Sequence, residues 1–309
     1  MPRAYVFERF GGPEVAGFAD VACPVPGAGE LLVAVRAAGV NPVDWKRRSG
    51  LRPPGAPEVR LPATMGGEVS GTVEKLGAGT GGFRVGDAVL GGPLTGGYAE
   101  YAVLSAASAV HKPAAISWTD AATLPIAAAT AFAGIRQLAL PPGATVLVTG
   151  VGGGVGVAAA QIARHAGLRV AGTAGAAKKA FAASLGVRYV EPGPGLAERV
   201  RAALPEGVDG VLDLVGGDTL RECAALLPDG TKLVSAADRG SVAAFGGAPV
   251  APARGPGVLD AVIRLVLDGA LDPYVTQVFP FARAAQAVRA VETGHARGKV
   301  VIEMPRCRP

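Results

Sequence analysis

One glycine-rich stretch, TVLVTGVGGGVGVAAAQIARHAG (145–167), constrains the fold of this chain more than any other. A buried-type strand pattern over 145–150 leads into five glycines between Gly150 and Gly156, and a helical pattern continues to Gly167. Strand, glycine turn and helix in this order hold a pyrophosphate. Glycines let backbone N–H groups approach the phosphates, and the helix N-terminus adds positive charge. The alternative is a loop that serves only tight packing.

The spacing of these glycines narrows the prediction. The strict G-x-G-x-x-G pattern is not met, because Val155 stands where a third glycine is required after Gly150. The spacing Gly150-x-x-Gly153-x-x-Gly156 does fit, and the flanking strand and helix provide most of the support. The predicted dinucleotide contacts are Gly150, Gly152, Gly153, Gly154, Val155 and Gly156.

Strand and helix patterns alternate after the glycine loop. A strand pattern at 168–173 is followed by a helical segment that reaches Gly186. Glycine is common at the position that terminates a helix. Segments 207–217, 219–230 and 231–237 continue as strand, helix and strand. This alternation predicts parallel βαβ units in a doubly wound sheet, whose strand C-termini face the cofactor crevice. The further predicted cofactor contacts are Val215, Gly216 and Ser235.

The end of the second strand decides which dinucleotide is favoured. An NAD site places a carboxylate there, but the chain reads Gly-Thr-Ala-Gly over 172–175 and has no acid before Glu191. Lys178 and Lys179 lie instead in or beside the first turn of a helix, where cations oppose the helix dipole unless an anion binds nearby. A 2′-phosphate is such an anion, so NADPH is favoured, with two solvated lysines as the alternative. The predicted contacts are Thr173, Lys178 and Tyr189.

The chain before the glycine loop is rich in β-strand patterns, which predicts a compact barrel-like unit. The apolar runs that show these patterns are 31–40, 68–79, 83–92 and 96–104. A helical pattern begins near Ser117, and a last strand over 299–304 needs partners, so we expect it to return to the first domain. The predicted boundaries are 1–120 with 260–309 for the β-rich domain, and 121–259 for the nucleotide-binding domain.

Composition and charge exclude several classes of protein. The 309 residues are 50% hydrophobic and 18% charged, which is typical of a globular chain rather than a disordered one. The net charge of +5 is spread without a basic run, so we expect no nucleic-acid partner. The apolar stretch 121–135 is shorter than a membrane span, and 1–10 lacks a signal-peptide layout. We therefore expect no membrane partner and a cytoplasmic location.

Six stretches carry a resemblance to a known family. They are AAGVNPVDWKRRSG (37–50), GGEVSGTVEKLGAGTGGFRVGDAVLG (66–91), GGYAEYAVL (96–104), LPIAAATAFAGI (124–135), the glycine loop with its helix, and GHARGKVVIEM (294–304). Together they span the whole chain and resemble the zinc-free quinone oxidoreductase branch of the medium-chain dehydrogenase/reductase superfamily. The resemblance implies an α/β fold with a GroES-like β-rich catalytic domain, a Rossmann doubly wound parallel sheet, a cleft between them and a homodimer.

The chain departs from the zinc alcohol dehydrogenases of the same superfamily. Those enzymes carry Cys where this chain has Asn41 and His where it has Gly67, and their four-cysteine loop is absent here. The three cysteines and three histidines are also widely separated, so we expect no bound metal. The resemblance then implies hydride transfer from NADPH to an acceptor that is already electrophilic, a quinone or an α,β-unsaturated carbonyl.

The resemblance also implies catalytic residues. Asn41 and Thr130 are expected beside the nicotinamide carboxamide or the acceptor oxygen, where a donor stabilises developing negative charge. Asp44, Trp45 and Lys46 are expected to line the cleft, with Lys46 or solvent as the proton source. Each residue has a structural alternative: a turn at Asn41, a loop contact for Asp44, packing for Trp45, a surface position for Lys46 and a backbone bond for Thr130.

Two other functions stay open on the sequence. An enoyl-thioester reductase of a biosynthetic pathway needs a basic surface for its carrier, which Arg47, Arg48 and Arg52 supply unless they are simply solvated. A chain that binds NADPH without turnover, as a sensor or a partner-binding protein, is the alternative from a different class. Steady oxidation of NADPH by quinones or enones distinguishes the enzyme from the sensor.

Overall fold

The computed structural model describes residues 1–51, 58–227, 232–251 and 255–305. These residues form two compact units, each with its own hydrophobic core, as expected of domains. The first unit contains Met1–Ile126, the helix Pro256–Leu267 and the described residues from Val275 on. The second unit contains the described part of Ala127–Ala253 together with Asp268–Tyr274.

Strands dominate the first unit and alternate with helices in the second. The strands are β1 (Arg3–Phe7), β2 (Ala16–Asp20), β3 (Glu30–Val40), β4 (Ala63–Thr64), β5 (Val69–Leu76), β6 (Ala88–Gly91), β7 (Tyr101–Ser105), β8 (Val110–His111), β9 (Thr145–Val148), β10 (Arg169–Thr173), β11 (Arg188–Val190), β12 (Gly210–Asp213), β13 (Leu233–Ser235), β14 (Ala248–Pro249), β15 (Val275–Pro280) and β16 (Lys299–Glu303). The α-helices are α1 (Pro42–Arg48), α2 (Trp118–Ala121), α3 (Ala129–Leu138), α4 (Gly154–His165), α5 (Lys179–Ser184), α6 (Leu196–Ala203), α7 (Gly217–Ala224), α8 (Pro256–Leu267) and α9 (Ala284–Glu292). None of the helices in the described ranges has the length and apolar character needed to cross a membrane.

The first unit is built around β3, an eleven-residue strand that pairs antiparallel with β5, β7 and β16. The larger sheet has the order β15-β16-β3-β5-β6-β8 with β7 on β3, and a smaller sheet has the order β2-β1-β4. Most side chains of β3 are buried on both faces, because the strand lies inside the β-rich unit. The core includes Phe7, Leu31, Val33, Leu104 and Ile302. The predicted β-rich, GroES-like domain is confirmed.

The C-terminal strand returns to the first unit, as the sequence predicts. β16 pairs antiparallel with the end of β3, and Val300 lies opposite Val40. Lys299 through Ile302 are buried although the first of them carries a charge. Because of this register, Lys299 comes beside Asn41, a residue 258 positions away in the chain.

The second unit contains a six-stranded sheet in which every neighbouring pair is parallel. Its order is β11-β10-β9-β12-β13-β14, which corresponds to the 3-2-1-4-5-6 order of dinucleotide-binding sheets. The carboxyl ends of β9, β10, β12 and β13 therefore meet at one edge, with the switch point between β9 and β12. The predicted Rossmann domain is confirmed.

Several details differ from the sequence predictions. The structure divides the chain after Ile126 rather than after residue 120, and it places Asp268–Tyr274 in the second unit rather than in the β-rich domain. β15 is an edge strand whose side chains are mostly exposed, so its sequence lacks the apolar alternation that marks a strand. The segment 238–257, predicted as a loop, contains a 3-10 turn at Val242–Phe245 and the short strand β14.

Candidate active site and cofactor-binding loop

The glycine loop joins β9 to α4 and is fastened to the end of β10. Gly150 has φ +64°, a left-handed conformation that favours glycine, and its N–H donates to Thr173 Oγ1 at 3.2 Å. The Val151 N–H donates to the Thr173 carbonyl at 2.8 Å. A Cβ atom on Gly156 would overlap the Gly150 carbonyl and lie 2.6 Å from Val151 Cα. Only glycine at this position therefore lets α4 pack so closely on the loop.

The N-terminus of α4 offers groups that suit a phosphate. α4 begins at Gly154 after the cap residue Gly153, and the first N–H groups of a helix have no partner inside it. In the described parts of the chain, no backbone carbonyl accepts from the N–H groups of Gly154, Val155 or Gly156. These donors and the helix dipole fit the pyrophosphate of a dinucleotide, and the glycines leave its approach free of side chains.

Two lysines lie near the end of β10. Lys178 is half-buried. Its side chain packs on the glycine loop so closely that a Cβ atom on Gly152 would lie 2.7 Å from Lys178 Cδ. Partial burial lowers the pKa of Lys178. The Lys179 ammonium lies 5.5 Å from the centre of the Tyr189 ring, within the range of a cation–π contact. The structure thus places Lys178 on the glycine loop and Lys179 beside Tyr189.

The remaining predicted cofactor residues lie at the same edge of the sheet. Thr173 is buried and its hydroxyl accepts the Gly150 N–H, so its first role is to support the glycine loop. Val215 is 52% exposed in the turn after β12. Gly216 and Ser235 are buried, and both donate hydrogen bonds to Asp213.

A buried cluster of polar side chains surrounds Asn41 in the first unit. Glu68 is fully buried, and its Oε1 accepts from Asn41 Nδ2 at 2.7 Å and from Lys299 Nζ at 2.8 Å. Its Oε2 accepts from the Ile126 N–H at 2.7 Å. Lys299 Nζ also donates to Asn41 Oδ1 at 2.8 Å and to the Val40 carbonyl at 3.1 Å. The Lys299–Glu68 ion pair therefore holds both ends of the Asn41 amide.

This cluster leaves the Asn41 amide with one donor. An ammonium only donates and a carboxylate only accepts, so the partners determine which end of the amide is oxygen. Lys299 donates to the amide oxygen, and Glu68 accepts one Nδ2 hydrogen. No acceptor in the described ranges binds the second Nδ2 hydrogen. Lys299 itself uses its three donors on Val40, Asn41 and Glu68.

Asp44 lies in the first turn of α1, beside this cluster. Its Oδ2 accepts from the Asn41 N–H at 2.8 Å, which caps the helix, and from the Tyr98 hydroxyl at 2.7 Å. Burial raises the pKa of Asp44 to about 6, although the bonds from Tyr98 and Asn41 act to lower it. Burial and the Asp44 charge raise the pKa of Tyr98 well above its ordinary value, so the phenol stays a donor.

Replacing Asp44 with Asn is expected to change how stability depends on pH. The folded chain binds the Asp44 proton more tightly than the unfolded chain. This contribution to stability is therefore fully present below pH 3.8 and is lost as the pH rises through about 6. Two pKa units correspond to about 3 kcal/mol. In urea unfolding, the free energy of unfolding of Asp44→Asn should rise by about 2 kcal/mol relative to that of the parent chain between about pH 4 and about pH 7.

An exposed carboxylate provides the control for this prediction. Asp20 is exposed on β2, and the difference in the free energy of unfolding between Asp20→Asn and the parent chain should be the same at each pH. The groups that face Asp44, which are Glu68, Lys299 and Tyr98, are unchanged in both variants. A constant difference between Asp44→Asn and the parent across this pH range would show that Asp44 is ionised throughout and would contradict the prediction.

Three other predicted catalytic residues lie outside the cluster. Trp45 packs against the apolar core of the first unit, and its buried Nε1 has no acceptor among the residues that the structure describes. Lys46 Nζ lies 5.8 Å from the centre of the Trp45 ring. Thr130 is half-buried in the first turn of α3, which belongs to the second unit. The cluster thus combines Asn41 with Glu68 and Lys299, which were not predicted as sites, and Asp44 lies beside it.

Of the three arginines considered as a carrier-binding surface, the structure describes Arg47 and Arg48. Arg48 is 1% exposed, and its guanidinium donates to Glu292 at 2.7 Å and to the Gly11 carbonyl at 3.4 Å. Arg48 thus anchors α1 to α9, which corrects its predicted surface position. Arg47 is exposed, and Arg52 lies outside the described residues.

The residues around Asn41 do not fit a zinc ion. The Lys299 ammonium lies 2.8 Å from the Asn41 oxygen, and this fixed cation would repel a metal ion bound there. A Cβ atom on Gly67 would lie 2.8 Å from Ile126 Cδ1, so a histidine at this position requires Ile126 to move. Across the described residues, no group of three His, Cys, Asp or Glu side chains is placed to hold a metal.

Three residues of these sites carry no site prediction from the sequence. Glu68 precedes the apolar strand β5, Lys299 begins the apolar strand β16, and Asp213 ends the buried strand β12. Charged residues are almost never fully buried unless they are paired, so an isolated charge at the edge of an apolar run is the signal that sequence reasoning could use.

A GroES-like β-rich unit and a Rossmann unit in one chain define a medium-chain dehydrogenase/reductase. A family model described as alcohol dehydrogenase GroES-like domain matches residues 27–114. A second model, described as zinc-binding dehydrogenase, matches residues 195–302. The two matches cover parts of both units.

Relatives from three organisms narrow the class to one family. The quinone oxidoreductase of Rattus norvegicus is 32% identical over 97% of this chain and 96% of the relative. The chloroplastic NADPH-dependent alkenal/one oxidoreductase of Arabidopsis thaliana is 31% identical over 97% of this chain and 79% of the relative. A mycobacterial protein solved in complex with NADPH superposes with a TM-score of 0.88 at 29% identity, over 98% of this chain and 100% of that one. The chain belongs to the quinone oxidoreductase family and is an oxidoreductase.

Proposed function

We propose that the protein is an NADPH-dependent reductase that transfers hydride to a quinone or to an activated C=C bond without zinc. The observation that carries the proposal is the Asn41 amide, which Lys299 and Glu68 hold with one N–H donor left. The acceptors named for the two relatives, quinones and alkenals or alkenones, share a conjugated carbonyl oxygen that such a donor can stabilise.

The residues of the chain orient the acceptor and stabilise its charge, while NADPH supplies the hydride when it is bound. Asn41 donates its second Nδ2 hydrogen to the acceptor oxygen, which gains negative charge as hydride arrives at carbon. Lys299 polarises the amide through the Asn41 oxygen and so strengthens this donor. Because the three donors of Lys299 are all engaged within the cluster, the proton that completes the reduction comes from Lys46 or from solvent.

Lys178 and Lys179 support the proposal of NADPH as the cofactor. Replacing Lys178 with Glu should raise KM for NADPH about 100-fold, because one charge-assisted bond to the 2′-phosphate is lost and a like charge replaces it. KM for NADH, which lacks this phosphate, should change less than about threefold. Initial rates with each dinucleotide at a fixed quinone concentration measure both effects.

A charge-matched variant separates this local effect from a change in net charge. Lys75 is exposed on β5 in the first unit, and Lys75→Glu makes the same change in charge there. It should leave KM for both dinucleotides close to that of the parent chain. An equal rise in KM for NADPH and for NADH in the Lys178→Glu variant would contradict the assignment of a 2′-phosphate site.

An acceptor screen tests the reaction itself. NADPH oxidation is measured with a panel of quinones and enones, with and without a metal chelator. We expect turnover with at least one conjugated carbonyl and no loss of rate on chelation, because neither proposed step uses a metal. Tight NADPH binding without turnover on any acceptor would favour the sensor alternative, and loss of activity on chelation would contradict the zinc-free mechanism.

Three finer predictions concern the substrate carrier, the oligomeric state and the location of the protein. The burial of Arg48 removes one of the three arginines on which the enoyl-thioester alternative depends. A homodimer and a cytoplasmic location follow only from the resemblance and the composition. Sedimentation of the purified chain and fractionation of cells test these two predictions.

A further inference from the structure

A buried carboxylate, Asp213, lies at the end of β12. Its side chain has no exposed surface. Its Oδ1 accepts from Thr149 Oγ1 at 2.8 Å and from the Val215 and Gly216 N–H groups at 3.1 Å. Its Oδ2 accepts from Ser235 Oγ at 2.6 Å and from the Gly216 N–H at 3.1 Å. Asp213 forms no ion pair within the described residues, so hydrogen bonds alone balance its charge.

These bonds join three segments that follow three neighbouring strands. Thr149 follows β9 and directly precedes the glycine loop, and its hydroxyl also accepts the Leu214 N–H at 2.8 Å. Val215 and Gly216 form the turn from β12 into α7. Ser235 ends β13 and accepts the Asp238 N–H at 3.0 Å. One carboxylate thus ties together the carboxyl ends of β9, β12 and β13.

The turn after β12 also contacts the glycine loop. A Cβ atom on Gly150 would lie 3.3 Å from Val215 Cγ2, so the position of this turn limits where the loop can lie. Gly216 has φ +79°, and the two N–H groups of the turn have Asp213 as their acceptor. Without that acceptor, two buried or half-buried donors lose their partner and the turn loses its fixed conformation.

We propose that Asp213 is a positioning residue for the dinucleotide. It sets the relative placement of the glycine loop, the turn at Val215–Gly216 and Ser235, which are the backbone segments predicted to contact the cofactor. The proposal rests on the proposed dinucleotide function and deepens it. Asp213 acts through these segments and has no direct contact with the cofactor.

The test compares cofactor affinity with stability in isosteric variants. Asp213→Asn keeps one acceptor oxygen but turns an NH2 group toward Ser235 Oγ or the Gly216 N–H. We expect Kd for NADPH to rise about tenfold, the effect of one charge-assisted hydrogen bond. Thr149→Val removes one partner of Asp213 and should raise Kd for NADPH about threefold. In the double variant, the loss of binding free energy should be smaller than the sum of the two single losses. Titration of NADPH fluorescence at a temperature well below unfolding measures Kd.

A carboxylate at the opposite end of the same strand provides a matched control. Asp209 Oδ2 accepts from the Thr145 N–H at 2.7 Å, where β9 begins. Asp209→Asn should lower the urea midpoint without changing Kd for NADPH, because it leaves the carboxyl edge of the sheet intact. If Asp213→Asn does not fold, the comparison of Kd for NADPH with the urea midpoint is made on Thr149→Val.

The outcomes separate this proposal from the proposed cofactor. A Kd for Asp213→Asn and Thr149→Val within about twofold of the parent, in folded protein, would overturn the positioning role. If the parent chain binds NADH and not NADPH, the proposed cofactor fails. The same comparison made with NADH then still decides the role of Asp213.

Discussion

Replacing Lys299 with Met is expected to lower the free energy of unfolding by about 4 kcal/mol. The variant leaves the Glu68 carboxylate fully buried without its ion-pair partner, and it removes the donor that binds the Asn41 oxygen. Breaking a buried pair by removing one partner is costly because the remaining charge has lost its water as well as its counter-ion. This is the largest loss of stability that we expect from a single side chain of this protein.

The two tryptophans make this loss measurable. Trp45 and Trp118 both belong to the first unit, so their fluorescence during urea unfolding follows the domain that contains Lys299. Lys75→Met provides a control on strand β5 of the same sheet, and its exposed side chain should contribute less than about 0.5 kcal/mol to the free energy of unfolding.

A second substitution distinguishes an unpaired charge from lost packing. In the double variant Lys299→Met with Glu68→Gln, no charge is left in the cluster, and an amide can still accept the Ile126 N–H. Most of the lost stability should return, to within about 1–2 kcal/mol of the parent chain. A double variant as unstable as Lys299→Met alone would show that packing of the lysine stem, rather than charge pairing, stabilises this region.

Replacing Gly156 with Ala is the second substitution with a large expected effect. The new Cβ would meet backbone atoms of the glycine loop, including Val151 Cα at 2.6 Å, and backbone cannot move aside as a flexible side chain can. We expect a loss of about 2–3 kcal/mol from overpacking as α4 moves away from the loop. Because the first N–H groups of α4 move with it, NADPH binding should weaken about 100-fold.

A neighbouring glycine provides the control for Gly156→Ala. A Cβ atom on Gly153 would lie 3.6 Å from the Gly150 carbonyl oxygen, an ordinary contact, and Gly153 has φ −91°, which any residue adopts. Gly153→Ala should therefore cost less than about 1 kcal/mol in stability. Urea unfolding and NADPH titration of both variants test the prediction. Unchanged NADPH binding in Gly156→Ala would contradict the role of the loop in holding the cofactor.

Local patterns were sufficient to predict most of the second unit. The glycine turn, the strand before it and the helix after it are contiguous, so their signal lies within one stretch of chain. The alternation of strand and helix then implies parallel pairing, because parallel neighbours need a crossover between them. The order β11-β10-β9-β12-β13-β14 is one of several that this connectivity allows, and the structure shows which one the chain adopts.

The first unit was harder to predict, because its strands are short and pair with distant segments. β1 pairs with β2 and with β4, and neither pairing leaves a mark in the sequence of β1 itself. β15 has mostly exposed side chains and takes its strand conformation from β16. In both cases the partner, and not the local alternation of apolar residues, determines the strand.

The same division applies to the candidate site. Asn41 is visible in the sequence through the resemblance, and Lys178 and Lys179 are visible through the missing acid at the end of β10. The partners that hold Asn41, which are Glu68 and Lys299, lie 27 and 258 residues away from it. Hydrogen bonds between such distant residues depend on strand register, so no local pattern predicts them.

The sequence by itself determined the two-domain class, the glycine loop and the chemical types of residue available to hold a dinucleotide, because each depends on neighbouring residues. Only the tertiary structure decided which charges are buried and what they hold. Asp213 joins three strand ends, and Lys299 completes the cluster around Asn41. The physical reason is that a buried charge is stable only where distant segments bring it enough hydrogen-bond partners, and the fold alone places those segments together.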